Sequence, residues 1–153
     1  MIEHFKEVRR DGKVIEDSMT LEEMHKRGWH PEKIVEIQWT HEGRLVRRAS
    51  AGGILAEIVY GREFVAVIEH NDKKPQSSIL SIIHADGSVA HVVSNTQLIL
   101  GKYEKGEFRW FEPPKMNRTN ICGVVFECVN NHAMYQLELD AAEGTVIDAY
   151  YTR

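Results

Sequence analysis

Apolar and polar side chains alternate along most of this 153-residue chain, which is the pattern of β-strands with one buried face. Val35, Ile37 and Trp39, for example, alternate with polar neighbours. Glycine-containing turns separate the alternating segments, because glycine adopts the positive φ angles that tight hairpins need. Such turns are predicted at Gly12, Gly43, Gly61, Gly87, Gly106 and Gly144. The pattern therefore predicts a series of antiparallel hairpins.

The most regular stretch, Ile54–Phe111, is predicted to form one antiparallel meander. Its segments Ile79–His84 and Val89–Val93 are apolar on both faces, which is typical of strands buried between two layers. A meander of this kind closes into a sandwich or a barrel. The length suits one domain over residues 1–153. We therefore predict a single, mainly β domain that is α+β only by one short helix.

Two predicted turns determine how the flanking strands should pair and which side chains should share a face. Asp11 and Gly12 suit a two-residue type I′ turn, which sets Val8 opposite Ile15. A second turn, at residues 105–106, is predicted to end one strand and begin the next. That turn places an aromatic set on one face of the sheet: Tyr103, Phe108 and Trp110.

The one helix is predicted at about residues 20–27. Thr20 and Glu23 form a capping box, in which each residue bonds to the backbone of the other. Leu21 and Met24 give the helix a small apolar face. We expect this face to cover one end of the sheet.

The end of the chain is acidic. Residues 119–153 carry five acidic side chains against one basic side chain, Arg153. An acidic surface favours a basic protein partner over nucleic acid. The run from Tyr135 to Asp148 is also similar to the closing hairpin of PepSY-type domains. We draw no function from that short resemblance.

The predicted partner-binding set combines two neighbouring segments. The final hairpin supplies charges and aromatic anchors of the kind that dominate protein interfaces. The irregular segment before it, 112–120, supplies two basic side chains. The set is Glu138, Asp140, Glu143, Asp148, Tyr150, Tyr151, Lys115 and Arg118.

Composition and the pattern of apolar runs predict where in the cell the protein is found. Its 42% hydrophobic and 27% charged residues are ordinary for a soluble globular domain. No apolar run approaches the roughly 20 residues of a membrane helix, and the first residues lack a signal-peptide pattern. We therefore expect a cytoplasmic protein with no membrane contact. Cys122 and Cys128 lie in one predicted strand, about 20 Å apart, so we expect buried thiols and no disulfide between them.

Histidines are the remaining candidates for chemistry. The predicted turn at residues 86–87 places His84 and His91 diagonally on one sheet face. A zinc site normally needs three or four ligands, so this pair is only a weak metal candidate. Our prediction is no metal, no cofactor and no catalytic residue.

Three classes of function remain open. The first is a non-enzymatic, protein-binding protein, such as a small cytosolic immunity or inhibitor protein that neutralises a basic toxin or enzyme domain through the acidic C-terminal face. The second is a β-barrel carrier of a small apolar ligand, lined by the central strands and the aromatic set. The third is a His-dependent enzyme, metal-assisted or not, that uses His84 and His91.

Overall fold

The computed structural model describes residues 1–71 and 73–152, and within these ranges the chain is mainly β. Its strands form three antiparallel sheets, and one short helix is present. The predicted fold class is therefore confirmed. No helix in the described ranges is long and apolar enough to cross a membrane.

The strands fall into three groups along the chain. The first group and the helix are β1 (Glu3–Arg9), β2 (Val14–Glu16), α1 (Leu21–Lys26), β3 (Ile34–His41) and β4 (Arg44–Ala49). The second group is β5 (Ile54–Ile58), β6 (Phe64–Asn71), β7 (Lys74–His84) and β8 (Val89–Val93). The third group is β9 (Thr96–Ile99), β10 (Lys102–Glu112), β11 (Ile121–Cys128), β12 (Met134–Asp140) and β13 (Thr145–Tyr151). Each group is one sheet, with strand orders β2-β1-β3-β4, β5-β6-β7-β8 and β13-β12-β11-β10-β9.

The second sheet lies between the other two. Successive residues of a strand point to opposite faces, and β6 uses both faces for burial. Val65 and Val67 pack with Trp39 of the first sheet, whereas Ala66 and Ile68 pack in the cluster that contains Phe126 of the third sheet. The molecule therefore has two apolar cores, one on each side of the central sheet.

The prediction of two-sided burial holds for only part of the central stretch. In β7, Leu80, Ile82 and Ile83 have no exposed surface. In β8, by contrast, Val89 is 49% exposed and Val92 is 66% exposed. The prediction was wrong for β8 because this strand is at the edge of its sheet, where neighbouring layers give less cover.

The strands of the predicted meander belong to two different sheets. Strands β5 to β8 form a meander, but β9 and β10 belong to the third sheet. The chain leaves one sheet for the other near Asn95, whose side-chain amide donates to the carbonyls of Ser78 and Gly106 at 3.3 and 3.2 Å. This one side chain links β7 to β10 at the crossover.

The hairpin turn predicted at residues 105–106 does not exist. β10 runs through these residues, and the turn lies at Leu100 and Gly101, which both have positive φ. Gly106 is instead a site of close approach, because a Cβ there would clash with the Glu127 carbonyl and the Phe126 ring. A glycine inside a strand often marks this kind of contact.

Gly106→Ala is therefore expected to destabilise the protein. The added methyl meets a backbone carbonyl, which cannot move without shifting β11. Overpacking of this kind costs about 1–3 kcal/mol of unfolding free energy, measurable by urea denaturation. Lys102→Ala, at an exposed position of the same strand, is the matched control. Equal urea midpoints for Gly106→Ala and the native protein would show that β11 does not approach Gly106 closely.

The predicted register of the first hairpin was wrong by one residue. Val8 pairs with Val14 instead of Ile15, because the turn is longer than a two-residue I′ turn. The Asp11 carboxylate accepts hydrogen bonds from the Lys13 N–H at 3.0 Å and the Arg9 guanidinium at 2.9 Å. Side-chain capture of the backbone is a common use of aspartate in turns.

The helix forms where predicted but does not cover the sheet. The Thr20 hydroxyl accepts from the Glu23 N–H at 3.2 Å, which confirms Thr20 as the N-cap, whereas the reciprocal bond from the Glu23 side chain does not occur in the described part of the chain. No helix residue is buried, and Leu21 is 79% exposed. Trp29, after the helix, lies beneath the Arg9 and Arg27 guanidiniums, 5.2 and 5.6 Å from its ring centroid. Cation–π contacts thus join the helix to β1.

Candidate partner-binding surfaces

The predicted partner-binding residues are grouped on the third sheet. In the closing hairpin, Glu138 of β12 pairs with Asp148 of β13. Leu137 and Leu139 are fully buried in the core. Because side chains alternate along a strand, Glu138 points to the opposite face of this sheet.

Glu138 is nevertheless buried, with none of its surface exposed. The segment between β10 and β11 crosses over it. One carboxylate oxygen of Glu138 accepts hydrogen bonds from the backbone N–H of Lys115 and from that of Met116, the latter at 3.2 Å. Glu138 therefore anchors this segment, and its carboxylate is not accessible to a partner.

Two further residues accommodate the crossing segment. The Gln136 side-chain amide donates to the Pro113 carbonyl at 3.0 Å. Gly123, on the adjacent strand, leaves space for the segment, because a Cβ there would lie 2.5 Å from the Glu112 carbonyl oxygen. The irregular segment is thus fixed onto the sheet by side chains of β12.

The other predicted acidic residues differ in role: one stabilises the turn, and the others are exposed. Asp140 stabilises the turn, because its Oδ1 accepts from the backbone N–H of Ala142 at 3.0 Å and of Glu143 at 3.3 Å. The side chains of Glu143 and Asp148 are exposed. Both carboxylates are therefore accessible on the hairpin, and one Asp148 oxygen accepts from the Ala149 N–H at 2.9 Å.

The predicted basic and aromatic residues offset this acidity. Lys115 and Arg118 are both exposed, and the Lys115 ammonium lies 3.9 Å from the centroid of the Tyr150 ring. Tyr151 is 66% exposed, and Arg153 lies outside the described residues. The hairpin with its crossing segment is thus a mixed-charge surface with an exposed aromatic ring.

His84 and His91 each contact other parts of the protein. The His91 Nε2 lies 2.9 Å from the Ala142 carbonyl oxygen, so the ring joins β8 to the β12–β13 turn. The His84 ring packs on Phe64, with centroids 5.4 Å apart. Across residues 1–71 and 73–152, no three His, Cys, Asp or Glu side chains come together as a metal site.

The two cysteines are buried and unpaired with each other, as predicted. Burial raises the pKa of Cys122 to about 12, and nearby carboxylates add to the effect. A thiol with so high a pKa is a poor nucleophile at neutral pH. Both cysteines serve as small apolar side chains of the core.

A concave surface lies between the first and second sheets. This cleft, of about 780 Å³, opens where the β1–β2 hairpin faces the edge strand β5 and the turn after it. Apolar residues line its floor, among them Phe5, Ile15, Ala56 and Ile58. Four carboxylates line its walls: Glu7, Glu16, Asp17 and Glu57. We call this surface the acidic cleft.

The carboxylates of the acidic cleft lack matching positive charge. Burial, the Glu57 carboxylate and the Asp17 carboxylate raise the pKa of Glu7, which is half-buried. Burial also raises the pKa of Glu57, although much of that side chain remains accessible. Among the residues that the structure describes, Arg62 is the one basic side chain lining the cleft, and it pairs with Asp17 at 3.6 Å. No ion pair with Glu7 or Glu57 occurs in the described part of the chain.

Glu7→Gln is expected to stabilise the fold at neutral pH. The pKa of Glu7 is raised in the folded chain above its ordinary value of 4.5, so the folded state holds this proton more tightly than the unfolded state does. Ionisation of Glu7 therefore weakens the fold as pH rises through the folded-state pKa. Among the groups facing it, Glu57 and Asp17 oppose its charge, Arg62 is already paired with Asp17, and the Met1 ammonium is paired with Glu63.

The measurement is urea denaturation at two pH values. We expect a higher midpoint for Glu7→Gln than for the native chain at pH 7, and equal midpoints below about pH 3.5, where the carboxyl is protonated in both states. Glu3→Gln, at an exposed position of the same strand, is the control. A lower midpoint for Glu7→Gln at pH 7 would show that Glu7 stabilises the fold.

Sequence reasoning missed the acidic cleft. Its carboxylates come from β1, the end of the β1–β2 hairpin and β5, and no local pattern indicates that these elements meet. One signal was available: Glu7 is in phase with the buried Phe5 and so points inward. An ionisable residue on the inner face of a strand often belongs to a functional site.

Comparison with known proteins gives one informative result. No protein-family model matches the chain, and no curated protein matches its sequence. A solved structure does match: a chain in the structure of Tne2 in complex with Tni2. The TM-score is 0.94 at 29% sequence identity, and the match covers 100% of this chain and 100% of that chain.

The extent of this match bears on function. It includes every strand and connection of both chains from end to end. The similar chain was observed in a complex of two proteins. This chain therefore has the same fold as a protein that assembles with a protein partner.

Proposed function

We propose that this chain is an immunity-type protein: a non-enzymatic, cytoplasmic protein that binds a toxin or enzyme domain and neutralises it. The observation that carries the proposal is the full-length similarity to a chain solved in complex with a second protein. A shared fold alone does not establish a shared function. The surfaces of this chain must therefore support the proposal as well.

Two surfaces support binding to a protein. The acidic cleft presents unpaired carboxylates around an apolar floor. The closing hairpin presents Glu143, Asp148 and Tyr151 beside the exposed Lys115 and Arg118. Acidic surfaces attract a basic partner and speed its association. We propose a basic protein partner for this reason.

Several residues named for the two alternative functions have other contacts in the structure. The carrier needs Tyr103, Phe108 and Trp110 to line a ligand cavity. Tyr103 is instead 74% exposed, and Phe108 packs against Phe126 with ring centroids 5.3 Å apart. The His-dependent enzyme needs His91, which contacts the Ala142 carbonyl. Neither alternative has a specific observation in its favour.

A growth assay tests the proposed function. The gene beside that of this chain is the natural source of a candidate toxin, and its product is expressed with and without this chain in a bacterial host. We expect growth arrest by the candidate alone and normal growth with co-expression. Co-expression with an unrelated toxin should give no protection. Growth arrest that persists despite abundant folded chain would overturn the proposal.

A further inference from the structure

We propose that the acidic cleft receives a lysine or arginine side chain of the protein partner, which is inserted between Glu7 and Glu57. The inference rests on the proposed function and names the surface and the chemistry that it uses. The cleft is separate from the closing hairpin, which the sequence had indicated as the binding surface. It is formed by β1, β2, β5 and the turn after β5.

Charge complementarity identifies the occupant as a cation. Four carboxylates face the cleft, and Arg62 is committed to Asp17 and to the Ile2 carbonyl, to which its Nε donates at 2.8 Å. Like charges that share a partly desolvated site repel one another. A cation between Glu7 and Glu57 would remove this repulsion and form charge-assisted hydrogen bonds, which are the stronger class.

The apolar parts of the cleft identify the occupant as a long side chain. Phe5 and Ile58 lie on the floor, where the methylene groups of lysine or arginine would be buried while the charged end meets the carboxylates. Tyr60 lines the cleft and is 64% exposed. Its ring offers a cation–π contact. A small inorganic cation would use none of these apolar contacts.

The cleft also has the character of a site maintained for binding. Glu7 is half-buried beside the Glu57 and Asp17 carboxylates, so its ionised form opposes folding at neutral pH. Proteins often retain such unfavourable groups where function requires them. A partner's cation would recover this free energy on binding.

Peptide titration tests the inference without the natural partner. The probes are acetyl-Gly-Arg-Gly-amide, its lysine analogue, and the same peptide with citrulline, which has the shape of arginine without its charge. We expect the arginine and lysine peptides to give saturable NMR shifts at pH 7 for amides of residues 5–17 and 56–62. The citrulline peptide should bind at least tenfold more weakly.

Matched variants make the test specific. The Glu7→Gln/Glu57→Gln double variant should lose these shifts. Glu22→Gln/Glu42→Gln, which removes the same charge at exposed sites outside both surfaces, should retain them. The folded state of each variant is checked by its amide spectrum. Equal binding of the citrulline peptide, or shifts that persist in Glu7→Gln/Glu57→Gln, would overturn the inference.

The partner found by the growth assay separates this inference from the proposed function. If that partner binds the native chain and binds Glu7→Gln/Glu57→Gln at least tenfold more weakly, both stand. If the double variant binds it equally well, the proposed function stands and the cleft inference fails. If no partner binds but the peptides bind as expected, the cleft accepts cations and the proposed function fails.

Discussion

Glu138→Ala is expected to lower the free energy of unfolding by about 2–4 kcal/mol, because two partly buried backbone N–H groups lose their carboxylate acceptor. These are the N–H groups of Lys115 and Met116. Urea denaturation measures the loss. The same change should release the segment 113–120 from the sheet, which faster amide hydrogen exchange at those residues would report.

Two variants control for this effect. Glu138→Gln keeps a side-chain oxygen as acceptor and should lose less stability than Glu138→Ala. Asp148→Ala removes a carboxylate from the residue that pairs with Glu138, but at an exposed position, where changes stay within about 0.5 kcal/mol. If Glu138→Ala and Asp148→Ala cost the same, Glu138 does not anchor the segment.

Trp39→Ala should cost about 3–5 kcal/mol, the range for truncating a large buried aromatic side chain. Trp39 is 1% exposed, and its indole N–H donates to the Ala85 carbonyl at 2.7 Å. The variant therefore creates a cavity between the first two sheets and leaves a buried carbonyl without its donor. Thermal and urea denaturation both measure the loss.

Leu45→Ala is the control for this prediction. Leu45 lies on the neighbouring strand β4 and is 61% exposed, so its truncation should change stability by about 0.5 kcal/mol or less. A Trp39→Ala variant that is as stable as Leu45→Ala would mean that the first sheet does not pack on the second as described.

Features set by neighbouring residues could be predicted from the sequence. Glu42 and Gly43 both have positive φ, as a two-residue hairpin turn requires, and Trp39 pairs with Val46. The cap at Thr20 formed for the same reason. In each case the residues that determine the structure are close in sequence, so turn and capping chemistry fixed the outcome.

Features set by distant contacts could not be predicted. Gly106 resembles a turn glycine until β11 is placed against it. Glu138 resembles a surface carboxylate until the crossing segment covers it. Glu7 and Glu57 line one cleft only because the first two sheets stack. Alternation along a strand assigns a side chain to a face but does not identify the layer that covers that face.

The corrected placement of these residues changes the account of binding. The closing hairpin retains exposed groups, but Glu138 and Asp140 have structural roles there. The acidic cleft lies instead between the first two sheets.

The most direct test of the central claim is the formation of a complex with the product of the neighbouring gene. Size-exclusion chromatography with light scattering gives the stoichiometry, and titration calorimetry gives the affinity. We predict a stable complex with a Kd of about 1 nM or tighter, which corresponds to roughly −12 kcal/mol. We also predict loss of the partner's activity at one equivalent of this chain. Separate elution of the two proteins, with the partner's activity unchanged, would contradict the account.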